Sequence, residues 1–280
     1  MKTKRIIVRL DVKNEALVKG IHLEGLRVLG KPEAFAEHYY KDGVDELLFM
    51  DAVASLYGRN SLVELVRNVA DKIFVPLTVG GGVRNASDVR ALLKSGADKI
   101  AINTAAVKSP ALIRELADTF GSSTICATIE TIRDASGKYF AFIDNGREPT
   151  GLDAVEWAQQ LESLGAGEII LTSVDKEGTG KGMDHAHISE ICKAVSIPVI
   201  AHGGVGSVEH ILSAFHATDV DAVCAASVFH YDTLNRIDTE SHSVRGNTSF
   251  LASGSTKKNL SATSVGEAKA YLRHNGINIR

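Results

Sequence analysis

Two acidic residues follow short apolar runs in the sequence and could exchange protons with a substrate. Asp11 follows "IIVRL", and Glu130 follows "TICATI". If both runs are strands of one sheet, the two carboxyl groups can face a common site, where one donates a proton while the other accepts one. Both are therefore candidate catalytic residues. The alternative is that either carboxylate caps the loop that follows it or pairs with Lys19.

Two glycine pairs could bind anions. "VPLTVGGGV" and "IPVIAHGGV" place Gly81–Gly82 and Gly203–Gly204 directly after apolar runs. Glycine lets the backbone approach a ligand closely, and the following helix offers free N–H groups to an anion. Polar neighbours, Asn103–Thr104 and Ala226–Ser227, end the next runs along the chain. Each set predicts a phosphate cradle, unless the glycines serve only tight turns. We expect an elongated ligand with a phosphate at each end.

The two glycine pairs and their polar neighbours, which we call the glycine devices, belong to a larger internal repeat. The second copy follows the first by 122 residues, and by 123 after one extra residue near Val220. Self-similarity at a fixed spacing indicates a repeated structural unit. The matched segments are Gly43–Asp51 with Gly165–Ser173, Val75–Ser95 with Ile197–Ala217, and Ala97–Ala105 with Val220–Val228.

The elements that must position these residues alternate between strands and helices. Short continuous apolar runs are typical of parallel strands covered on both faces. Amphipathic stretches that begin with Ser or Pro and end with Gly separate them. Eight such units in two equal halves predict a single (β/α)8 barrel over residues 1–280, with its chemistry at the carboxyl ends of the strands. A doubly wound α/β sheet is the runner-up, but it does not explain two equal halves. The eight runs are "IIVRL", "ELLFM", "VPLTV", "KIAI", "TICATI", "EIILT", "IPVIA" and "AVCAA".

Composition excludes several classes of protein. Of the 280 residues, 44% are hydrophobic and 23% are charged, which suffices for a sizeable core. A formal net charge of −3 gives no support to nucleic-acid binding. No apolar run approaches the ~18 residues that cross a bilayer. Cys126, Cys192 and Cys224 are scattered without a C-x-x-C motif, which is typical of reduced thiols, so we expect a cytoplasmic protein.

Several motifs together resemble the cyclase subunit of imidazole glycerol phosphate synthase, the HisF family. The resemblance covers about residues 4–236 and resumes at the C-terminus. It implies a (β/α)8 barrel that takes ammonia from a separate glutaminase subunit. Such a barrel cleaves and cyclises a bisphosphorylated aminoimidazole ribonucleotide precursor to imidazole glycerol phosphate and AICAR. The motifs are "KRIIVRLDVKN", "TVGGGVRN", "GADKIAINTAAV", "GAGEIILTSVDKEGT", "AASVFH" and "YLRHNGINIR".

The resemblance also assigns roles to individual residues. Asp11 matches the catalytic aspartate of the first strand, and Lys19 falls in the mobile loop after it. The two glycine devices match the phosphate sites. Thr172 and Glu177, at the end of the sixth strand and in its loop, join the substrate site. No cofactor or metal is implied.

A ring of charges is expected at the opposite, N-terminal end of the barrel. The resemblance places the ammonia entrance there, with the glutaminase docked against this face. Each of the four residues precedes or begins a strand. Scattered surface charges are the alternative to a mutually paired ring. The four residues are Arg5, Glu46, Lys99 and Glu168.

Departures from the family pattern leave the substrate open. Glu130 and Glu177 stand where the family has aspartates, and Asn145 and His202 stand where histidine-pathway enzymes usually have serine. "DAVASLYGRN" is more similar to paralogues that pass glutaminase-derived ammonia to a sugar in surface-polysaccharide synthesis. That is the alternative function, and a non-catalytic scaffold for the glutaminase is a second one.

Other features carry weaker expectations. His185 and His187 form an H-x-H, but His210 and His216 fall on a helix away from the strand ends, so we expect no metal site. Residues 235–261, rich in Ser, Thr, Asn and Gly, predict a flexible insertion before the last helix. "SVGE" from Ser264 predicts a capping box at the start of that helix.

Overall fold

Eight parallel strands close into a barrel. The computed structural model describes residues 2–53, 62–237 and 259–280. The barrel order is β1, β4, β5, β6, β7, β10, β11 and β12, and β12 pairs again with β1. Closure excludes the doubly wound sheet. The strands are β1 Arg5–Lys13, β4 Glu46–Asp51, β5 Leu77–Gly80, β6 Lys99–Ile102, β7 Ile125–Arg133, β10 Glu168–Ser173, β11 Val199–His202 and β12 Ala222–Ala225.

Helices surround the barrel in the alternation that the sequence predicts. The described residues contain ten α-helices. The predicted capping box is confirmed: the Ser264 hydroxyl accepts from the Glu267 N–H, and the Glu267 carboxylate accepts from the Ser264 N–H. The helices are α1 Pro32–Lys41, α2 Leu62–Ala70, α3 Ala86–Lys94, α4 Thr104–Lys108, α5 Ala111–Phe120, α6 Ala154–Ser163, α7 His185–Ala194, α8 Val208–Ala217, α9 Ser227–Thr233 and α10 Val265–His274.

Two antiparallel hairpins rise above the barrel, one in each half of the chain. After β1 come β2 Ala16–Ile21 and β3 Glu24–Gly30, and after β7 come β8 Tyr139–Ile143 and β9 Glu148–Asp153. The expectation that Lys19 lies in a mobile loop is wrong. Lys19 is a buried residue of β2, because the chain turns back at Asn14 and pairs with the end of β1.

Alternate residues of each barrel strand pack on opposite sides. On β1, Ile6, Val8 and Leu10 join the core between barrel and helices, whereas Ile7 joins a smaller cluster inside the barrel. This follows from the two-residue period of a strand. The interior cluster contains Ile7, Leu48, Ala101, Cys126, Ile170, Ile200, Ala222 and Cys224.

Some expectations fall on residues outside the described ranges. Most of the predicted insertion, 238–258, lies there, so the insertion and the domain bounds stay predictions. The same holds for much of "DAVASLYGRN", residues 54–60. In the described part of the chain, no helix is long and apolar enough to span a membrane.

Candidate active site at the barrel mouth

Asp11 and Glu130 lie at the barrel mouth, the end where the strands reach their carboxyl termini. They belong to β1 and β7, the first and fifth barrel strands, which face each other across an eight-stranded barrel. Both side chains are buried. Asp11 Oδ1 accepts a hydrogen bond from Arg9 Nε at 2.8 Å, and Glu130 Oε2 accepts one from the Gly146 N–H at 2.8 Å. Asp11 therefore pairs with Arg9 instead of Lys19, and Glu130 also braces the β8–β9 turn.

The Glu130 carboxyl is suited to proton exchange near neutral pH. Burial raises its pKa to about 7, although the Arg9 charge and the Gly146 hydrogen bond act to lower it. The negative charges of Asp11 and Asp144 raise it further. A carboxyl group with a pKa near the working pH is populated in both its acidic and its basic form.

The first cradle, Gly81–Gly82 with Asn103–Thr104, opens into a cavity of about 540 Å³. Gly81 and Gly82 have φ angles of +100° and +71°. A Cβ atom at Gly81 would lie 2.7 Å from the Asp51 carbonyl oxygen, so the turn requires glycine. Glu130 lines the same cavity. A ligand bound by this cradle would therefore reach one of the two carboxyl groups.

The second cradle, Gly203–Gly204 with Ala226–Ser227, is closed. Its cavity has a volume of about 10 Å³, roughly the space for one water molecule. The Gly182 N–H donates to the Gly204 carbonyl at 2.8 Å, which holds the loop after β10 against the glycine pair. Ser227 Oγ and His202 Nδ1 are buried there, with no hydrogen-bond partner among the described residues.

A buried ion pair lies beside the second cradle. Lys19 Nζ pairs with Glu177 Oε1, and Glu177 Oε2 accepts from the Leu23 N–H at 3.0 Å. Burial alone would raise the pKa of Glu177, but the Lys19 charge and these hydrogen bonds lower it to about 2. The β2–β3 hairpin is thereby held onto the loop after β10. Thr172 lies between Glu130 and His202 in the sheet register, and so between one of the two carboxyl groups and this cradle.

The predicted charged ring forms at the floor, the end of the barrel opposite the mouth. Each member is the first residue of its strand. Arg5 donates to Glu46 and to Glu168, both at 2.6 Å. Lys99 completes the ring, 3.2 Å from Glu46 and 2.9 Å from Glu168. Burial acts to lower the pKa of both cations, but the two glutamates outweigh it, so the pKa of Arg5 and of Lys99 is raised. We call these four residues the floor ring.

The histidines of the described ranges that were candidates for a metal site contact other groups instead. His187 stacks on the Tyr139 ring at 3.7 Å between centroids, while His185 contacts Ser213. His210 Nδ1 accepts from the Gly206 N–H. Within the described residues, no group of three or more His, Cys, Asp or Glu side chains could hold a metal ion.

Comparison with known proteins identifies the family. The profile of the family described as "Histidine biosynthesis protein" matches residues 5–235. The chain belongs to this family. Among its relatives, imidazole glycerol phosphate synthase subunit HisF of Legionella pneumophila is 53% identical over 209 residues, which is 75% of this chain and 99% of the relative.

Two further relatives carry the same name. The HisF subunit of Methanopyrus kandleri is 45% identical over 257 residues, covering 85% of this chain and 94% of the relative. That of Bacillus cereus is 48% identical over 231 residues, covering 82% and 92%. The resemblance drawn from the sequence motifs is therefore confirmed.

Sequence reasoning missed two residues of this family member's site. Arg9, the partner of Asp11, lies before the end of its strand, outside the strand ends where a (β/α)8 barrel is expected to carry its chemistry. The signal was available, because residues 5, 7, 9 and 11 alternate along one strand and must share a face. Asp144, whose Oδ1 accepts from Thr104 Oγ1 at 3.3 Å, lies in the hairpin that the sequence did not predict.

Replacing Glu130 with Gln should make stability less dependent on pH. The folded site favours protonated Glu130, so its stabilising effect is complete below about pH 4.5 and is lost as the pH rises through about 7. Between about pH 5 and pH 8, the free energy of unfolding of the wild type should fall by roughly 2–3 kcal/mol relative to Glu130→Gln. Urea denaturation of both proteins measures this difference.

The matched control is Glu148→Gln, which replaces an exposed carboxyl group of β9. Water solvates both forms of an exposed carboxyl, so a much smaller change with pH is expected. If the free energies of unfolding of the wild type and Glu130→Gln differ by the same amount at about pH 5 and about pH 8, Glu130 does not titrate in this range.

Proposed function

We propose that this chain is the cyclase subunit of imidazole glycerol phosphate synthase in histidine biosynthesis. It would convert a bisphosphorylated aminoimidazole ribonucleotide precursor and ammonia to imidazole glycerol phosphate and AICAR. The observation that carries the proposal is the opposed pair Asp11 and Glu130 at the mouth of the barrel, with the first cradle in the cavity of Glu130. The names of the HisF relatives support it.

The two carboxyl groups divide the proton transfers that this reaction requires. Ammonia must lose protons as it forms new bonds to carbon, and the amine released by cleavage of the precursor must gain one. Asp11, held by Arg9, accepts a proton from the attacking nitrogen. Glu130, with a pKa of about 7, supplies a proton to the leaving nitrogen and can take one back. Burial keeps bulk water from competing with ammonia.

Binding of a bisphosphate would use both cradles. The first cradle offers glycine backbone and the Thr104 hydroxyl within an open cavity. The second must widen, which requires Lys19 and Glu177, whose side chains line it, to move. Lys19 is then close to the incoming anion, and its pairing with Glu177 would weaken as phosphate competes for the ammonium group.

The closed second cradle favours one alternative, in which the barrel passes ammonia to a sugar substrate. Such a substrate would not need two phosphate sites. Three residues that depart from the family pattern lie at the mouth or in the second cradle, which fits a changed substrate. They are Glu130, Glu177 and His202. Ammonium-driven turnover of the aminoimidazole precursor separates the two functions, since only the cyclase consumes it.

Asp11→Asn should abolish this turnover and leave precursor binding within a few fold. The change preserves volume but removes the proton acceptor, a loss of roughly 100- to 10,000-fold in kcat. Turnover is measured as release of AICAR with ammonium salt and no partner, and binding by calorimetry. An active Asp11→Asn variant would contradict the mechanism. A wild-type protein that binds the precursor without consuming it would contradict the cyclase function and leave the sugar-directed or scaffold role.

A separate glutaminase subunit would supply the ammonia at the floor. Neutral ammonia released into solvent is protonated, so a protected route must enter the barrel from the docked partner. The floor ring closes the floor end of the interior, and above it lies the apolar cluster that contains Ile7, Leu48 and Ile170. We propose that the ring controls this entrance and that the glutaminase docks around it, with Asp98 as a further contact.

Lys99→Ala or Glu168→Ala should change the ratio of glutamine-driven to ammonium-driven turnover. Loss of one member leaves its partners with unpaired charge and alters the entrance, while the mouth is little affected. Both activities are measured on the same variant with the glutaminase present, so stability losses cancel in the ratio. Equal losses in the two assays would mean that the ring only holds the barrel together.

A further inference from the structure

Arg9 occupies the barrel interior between the floor ring and the carboxyl pair. It lies on β1, two residues before Asp11 and two after Ile7 of the interior cluster. Only 3% of the residue is exposed. Its Nε donates to Asp11 Oδ1 at 2.8 Å, which is the charge-assisted geometry of a strong hydrogen bond. Arg9 therefore reaches the carboxyl pair at the mouth from below.

The buried guanidinium lies within electrostatic reach of groups on four barrel strands. Its charge acts on Asp11 of β1, Glu130 of β7 and Cys224 of β12, and it is felt by His202 of β11. Burial keeps two of these groups neutral: it raises the pKa of Cys224 to about 12 and lowers that of His202 well below its usual value. The negative charges that Arg9 can balance are thus those of Asp11 and Glu130.

Structural need does not account for a cation at this position. Burying an unpaired charge costs several kcal/mol, and a buried ion pair is often no better than an apolar replacement. Apolar residues fill the layer below, at Ile7, Leu48 and Ile170. The next inward-facing residue of β1 after Ile7 is instead Arg9, which brings a fixed positive charge to the two carboxyl groups.

We propose that Arg9 is a positioning residue: it fixes the orientation of Asp11 and allows the buried Glu130 to give up its proton. This inference rests on the proposed function of the carboxyl pair. Without Arg9, Asp11 would lose its hydrogen-bond donor, and Glu130 would retain Gly146 but face only the negative charges of Asp11 and Asp144. Glu130 would then give up its proton only at a higher pH.

The test compares Arg9→Met, which removes the charge at similar volume, with Arg9→Lys, which keeps the charge but loses the Nε geometry. The readouts are the pH profile of ammonium-driven kcat/KM and the ionisation of Glu130, followed by infrared difference spectra against Glu130→Gln. Arg9→Met should move the Glu130 transition to higher pH by about one unit or more, because a nearby cation lowers the pKa of a carboxyl group. Arg9→Lys should leave that transition near the wild-type pH but lower kcat roughly 100-fold, since Asp11 is misplaced.

Lys269→Met is the matched control. Lys269 forms a buried ion pair with Asp45 at 2.7 Å, away from the mouth, so its loss reduces stability without moving the Glu130 transition. If Arg9→Met does not fold, Arg9→Gln serves, with the same expected shift. A Glu130 transition unchanged by loss of the Arg9 charge, or shifted equally by Lys269→Met, would overturn the proposal. Absence of turnover in the wild type would instead contradict the proposed function, and the infrared titration would still decide the role of Arg9.

Discussion

Closure of the barrel forces alternate side chains of each strand into a narrow interior where charge must be paired. β1 carries this constraint along its length, since Arg5, Ile7, Arg9 and Asp11 share the inward face. Arg5 is satisfied by two glutamates at the floor, and Arg9 by Asp11 at the mouth. Buried ions cost free energy unless such partners are present. The floor and the mouth are therefore two paired layers separated by an apolar one, and the proposed ammonia route runs through all three.

The two halves of the chain keep one architecture but differ at the mouth. Each half has a hairpin after its first strand and a glycine pair after its third. The first cradle is open, and the β8–β9 turn braces Glu130 through Gly146. The second is closed beside the β2–β3 hairpin, which Lys19 and Glu177 hold down. For a substrate with two phosphate ends, this asymmetry means that the first cradle is filled first and that the second must open to accept the other end.

The fold could be predicted from the sequence because its signals are local. Apolar runs and helix caps can be recognised in short segments, and the repeat by comparing the chain with itself. None of these signals requires knowledge of tertiary contacts. The floor ring could also be predicted, since strand starts lie at one end of a barrel. The closure of the second cradle could not, because Lys19 and Glu177 are 158 residues apart and nothing local specifies their pairing. Arg9 could be predicted from the two-residue period of β1. Asp144 could not, because it lies in the turn of the β8–β9 hairpin, which the sequence does not predict.

The central claim is that one elongated ligand spans the mouth, with an anionic end in each cradle and the carboxyl pair between them. The most direct measurement is a crystal structure of the chain with inorganic phosphate. The account predicts one phosphate at Gly82 and Thr104, and a second at Gly204 and Ser227, with the side chains of Lys19 and Glu177 moved to make room for it. Phosphate bound only elsewhere, with both glycine pairs unoccupied, would contradict it.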